Sequence, residues 1–117
     1  MRKLLRGFLS PAERQFLRAL ASKLRGYTTD RGYSYIAVTP VPPALEGLHA
    51  RALAELTANG YVDCFFLRYA TGEAAASHTD DRRAERLIAL IDAPAAGGDL
   101  IVSGERVELQ EGDAVVF

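Results

Sequence analysis

At 117 residues the chain has the length of one domain, with enough material for a real core but not for two separate ones. Hydrophobic and charged contents of 49% and 25% are those of an ordinary globular protein, and a single cysteine, Cys64, excludes an internal disulfide framework. The net charge of −1 hides an asymmetry: residues 1–26 carry Arg2, Lys3, Arg6, Arg14, Arg18, Lys23 and Arg25 against Glu13 alone, while residues 27–117 hold seven basic and fourteen acidic residues. A basic arm for nucleic acid is one reading of that segment. A solvated helix face leaning on an acidic body is the plainer one, because no aromatic residues interleave for base stacking. The N-terminus is basic but lacks the apolar stretch of a signal peptide, and no run has transmembrane length. The expectation is a cytoplasmic protein with no membrane partner.

The first clear element is a helix. Ser10 can cap it, Pro11 suits its first position and Glu13 completes a capping box. Phe16, Leu17, Leu20, Ala21 and Leu24 recur at helical spacing, and Gly26 offers a stop. Tyr33–Thr39 reads as a strand closed by Pro40-Val41-Pro42-Pro43. A second helix is expected from Pro43 to Ala58, ending at Asn59-Gly60. Its apolar stripe is Leu45, Leu48, Ala52, Leu53 and Leu56. His49 flanks that stripe, where a histidine is more often a surface or interface residue than a metal ligand.

From Tyr61 the pattern turns to strands. Tyr61–Ala70 is long, aromatic and mostly apolar, and predicts a strand buried on both faces, with Cys64 as a structural thiol. A small-residue loop, 71–77, leads into His78-Thr-Asp80. Further strands are expected at Glu85–Asp92, Asp99–Val102, Arg106–Leu109 and Ala114–Phe117. The turns between them are Ala93–Gly98, the tight Ser103-Gly104 hairpin and Glu111-Gly112-Asp113. Short strands at regular spacing with glycine turns indicate a sandwich or barrel.

Chemistry concentrates at His78 and Asp80. Two residues apart on an extended segment, they project to one side, where an imidazole nitrogen and a carboxylate oxygen can share a metal ion. They are two of the three donors of a 2-His-1-carboxylate site. The pattern H-x-D alone is common and usually marks surface or turn-capping residues. Here it follows an apolar strand and a small-residue loop, with Asp81, Arg82, Arg83, Glu85 and Arg86 behind it, as at the mouth of a barrel.

The ordered stretches Leu67-Arg68-Tyr69-Ala70-x-Gly72, His78-x-Asp80, Arg86–Ile91, Gly97-Gly98-Asp99-Leu100 and Val107-x-Leu109-x-x-Gly112-Asp113-Ala114-Val115-Val116-Phe117 resemble the 2-oxoglutarate/Fe(II)-dependent dioxygenases, most closely the prolyl-hydroxylase-like branch. The resemblance covers about residues 61–117. It implies an α+β fold within a single domain: two N-terminal helices (residues 1–60, with one strand) followed by the first part of a double-stranded β-helix, the jelly-roll core (61–117). It also implies Fe(II) held by His78 and Asp80, 2-oxoglutarate as cosubstrate with Tyr69 near it, and oxidation of a C–H bond with release of succinate and CO2.

The family's second histidine and its 2-oxoglutarate-binding Arg or Lys would fall beyond Phe117. Leu90-Ile91-Asp92 also stands where family members often have Tyr-Leu-Asn. The chain is therefore expected to be a fragment, inactive alone, ending on an apolar strand with unpaired edges. Those edges could instead pair in a homodimer. The alternative is a non-catalytic jelly-roll module for binding or assembly. A cupin-like metal barrel would need more than the two histidines present. The substrate class stays open between small molecules and peptides, and nucleic acid is not expected.

Overall fold

The computed structural model describes residues 3–30, 33–38, 40–56, 64–68, 85–93, 100–102 and 104–117. In chain order these form β1 (Lys3–Leu5), α1 (Pro11–Lys23), β2 (Thr28–Asp30), β3 (Tyr33–Ala37), a 3₁₀ turn at Pro43–Leu45 that runs into α2 (Glu46–Ala54), β4 (Phe65–Arg68), β5 (Leu87–Ala89), β6 (Leu100–Val102), β7 (Glu105–Val107) and β8 (Ala114–Val116). The protein is thus a mixed α/β structure of two helices and small antiparallel sheets. Strands precede α1 and separate it from α2, so the helices are interleaved with strands rather than stacked ahead of them.

The chain packs as two compact units, one built from residues 1–22 with 86–117 and the other from residues 23–85. In the first, β8 is the middle strand of the order β1-β8-β5, antiparallel to both neighbours. Lys3, Leu4 and Leu5 stand opposite Val116, Val115 and Ala114, and Leu87, Ile88 and Ala89 stand opposite the same three from the other side. The expectation of unpaired edges on the Ala114–Phe117 strand is corrected by this: β1 pairs with one edge of it and β5 with the other. Ala114, Val115 and Val116 are all buried, as a strand covered on both faces must be. Leu9, Leu17 and Val107 complete that unit's core.

The predicted helix start is realised in full. The Ser10 N–H donates to Glu13 Oε1 at 2.9 Å, and the Glu13 N–H donates to Ser10 Oγ at 3.1 Å. Two otherwise orphaned donors of the first turn are satisfied reciprocally. Of the expected apolar stripe, Leu17 is buried, while Phe16 is exposed. β6 and β7 also pair as the expected hairpin, of whose turn Gly104 is described. Val102 pairs with Glu105 across it, and Gly104 has φ +78°, the left-handed conformation a two-residue turn requires.

The second unit holds the sheet β2-β3-β4, again antiparallel. One face carries Ser34 and Phe66 into the core, with Val38 and Leu45 near by in sequence and equally buried. The other face shows Tyr33, Tyr35 and Phe65, with ring centroids 6.2 Å apart for both neighbouring pairs. Phe65 and Leu67 are each nearly half exposed. β4 is therefore not the strand buried on both faces that its composition predicts. Its apolar residues coat a sheet with one open side, and the doubly covered strand is β8. The second helix is also shorter than predicted, with α2 ending at Ala54; Asn59-Gly60 lies outside the described residues.

Candidate functional site

Tyr69, His78 and Asp80 lie in residues 69–84, outside the described residues, as do Gly97 and Gly98. Their flanks are described. β4 ends at Arg68, immediately before Tyr69, and its guanidinium stacks over the Tyr27 ring at 4.2 Å from the centroid. On the other side β5 opens at Leu87. The predicted strand there has the right place but is longer in its hydrogen bonds than in its regular core: Arg86 exchanges both backbone bonds with Phe117 at 2.8 and 3.0 Å. The Leu90 N–H donates to the Asp113 carbonyl at 2.9 Å, and the Gly112 N–H to the Leu90 carbonyl at 2.7 Å.

The Gly112-Asp113 element of the resemblance is fully described, and its chemistry is structural. Asp113 is 5% exposed, in a position where a bare carboxylate would be costly. It is satisfied by three donors. The Gly7 N–H reaches Oδ1 at 2.9 Å, the Arg6 guanidinium reaches Oδ2 at 2.6 Å and the Gln110 N–H reaches Oδ2 at 3.1 Å. The Gly7 amide first, and then Arg6, hold the carboxyl below the usual carboxylate range. Gly112 closes the turn in which the Asp113 N–H bonds back to the Gln110 carbonyl, and its φ of +93° is one that favours glycine. A Cβ there would stand 3.0 Å from the Leu9 carbonyl oxygen.

Sequence reading takes Asp113 as a turn residue and misses this anchor. The signal available was its setting: a carboxylate directly before three apolar residues must find donors, and the basic N-terminal segment is rich in them.

That basic segment is largely committed within its own unit. Arg14 donates to the Ile91 carbonyl at 3.1 Å and to Glu111 at 2.7 Å, and Arg18 makes a forked contact to Asp92 at 2.9 Å from Nε to both oxygens. Arg18 holds the Asp92 carboxyl low. The helix face leaning on acidic residues is the arrangement present.

Among the described residues no three His, Cys, Asp or Glu side chains come together as a metal site. His49 sits on α2 half-buried, its Nε2 shut off from solvent and without a hydrogen-bond partner among the described residues. Cys64 is half-buried rather than fully so, and burial pushes its thiol up, which disfavours the nucleophilic thiolate. No helix among the described residues is long and apolar enough to cross a membrane. No family model, no curated protein and no solved structure matches this chain.

Proposed function

We propose that the chain is an Fe(II)/2-oxoglutarate-dependent oxygenase of the hydroxylase type, built on a jelly-roll core. The observation that carries the reading is the embedding of His78-Thr-Asp80 in an ordered series of segments: the strand before Tyr69, β5 at Leu87–Ala89, the β6-β7 hairpin and the Gly112-Asp113 turn into β8. The described elements of that series are strands and turns, as the reading requires.

The donor chemistry suits the metal in part. A neutral imidazole and a carboxylate two residues apart fit Fe(II) as two ligands on one side, and the third position must be supplied from outside this set. When bound, Fe(II) supplies the redox chemistry by which O2 and 2-oxoglutarate oxidise a C–H bond. The protein's own residues would hold and orient: His78 and Asp80 the metal, Tyr69 the cosubstrate. The substrate, a small molecule or a peptide, is bound by parts of such enzymes that this reading does not assign.

A second reading rests on one observation, that His49 and His78 are the only histidines. A jelly-roll binding or assembly module without a complete triad would look the same in this region. Anaerobic titration of Fe(II) in the presence of 2-oxoglutarate separates them. The oxygenase reading expects saturable binding by the wild type that weakens at least about tenfold in His78→Ala and in Asp80→Ala, as loss of a metal ligand would dictate. Equal binding by all three proteins would remove the metal assignment. Binding with no succinate formed once O2 is admitted would favour the module.

A further inference from the structure

We draw no further inference here: the strongest candidate, the open face of the β2-β3-β4 sheet on which Tyr33, Tyr35, Phe65 and Leu67 lie together, is an unpartnered apolar face, and nothing in the structure shows what covers it.

Discussion

Asp113 shows how one buried carboxylate becomes a stability switch against acid. Its folded-state affinity for protons is lowered by Gly7 and Arg6 relative to the ordinary aspartate value of 3.8. Such a group binds fewer protons folded than unfolded, so it stabilises fully above about pH 4 and loses that contribution as pH falls through the lowered folded value. Asp113→Asn should lower unfolding free energy near neutral pH by about 1–3 kcal/mol, the cost of poorly satisfied buried donors, and should flatten the acid limb of stability against pH; urea melts between about pH 2.5 and 7 read both. A variant whose acid limb is as steep as the wild type's would assign the pH dependence elsewhere, Asp92 being the next carboxylate held low. The neighbouring Gly112 carries two constraints, a left-handed backbone and a Leu9 carbonyl where a methyl group would go. Gly104 carries only the first, since no described residue lies within 4 Å of its absent side chain. Gly112→Ala should therefore cost more than Gly104→Ala, whose backbone penalty alone is about 1–2 kcal/mol. Equal denaturation midpoints for the two variants would show that the Leu9 contact yields freely.

Among the elements, α1 was the most legible in sequence because its start is specified by local chemistry. Ser10, Pro11 and Glu13 act on the first turn regardless of what packs on it, and the reciprocal bonds form as the spacing dictates. Ser10→Ala should cost about 1 kcal/mol, and a double-mutant cycle with Glu13→Ala should recover a coupling between them; additive effects would mean the two side chains cap independently. The hairpin between β6 and β7 was readable for the same reason. The strands were legible as strands, but not which of them is covered. Phe65 and Leu67 look like core in composition and stand on an open face, while Ala114, Val115 and Val116, of smaller residues, are sealed on both sides. Composition reports what a strand can bury. What arrives beside it is decided by distant pairings, and here one of its two neighbours is β1, which propensity alone does not announce as a strand. The candidate site shows the other side of this: His78 and Asp80 were singled out by spacing and resemblance and lie outside the described residues, whereas Asp113 as an anchor depends on Gly7 and Arg6, and no local pattern points to them.

At the scale of the molecule, the charge asymmetry is less an interaction signal than it looks. Arg6, Arg14 and Arg18 end on Asp113, Glu111 and Asp92, so much of the positive N-terminal segment is neutralised by acids of the C-terminal one. Arg18 and Asp92 are about half exposed, and pairs of that kind contribute little and are screened by salt. Raising NaCl from about 0.1 to 1 M should therefore change the unfolding free energy by less than about 1 kcal/mol; a much larger loss would show that the pairs act as a coupled network. The central position of β8 has a consequence of another kind, for the order of events during synthesis. Gly7 and Asp113 are 106 positions apart, and β1 cannot find its partner until nearly all the described residues have been made. The β2-β3 hairpin and its β4 neighbour, by contrast, can assemble from residues already translated. Growth on the ribosome thus leaves the first strand waiting, basic and unpaired, while the middle of the protein acquires structure before it. Only the emergence of β8 lets β1 settle, so the slow, long-range closure expected of such a topology comes after the second unit has had time to form.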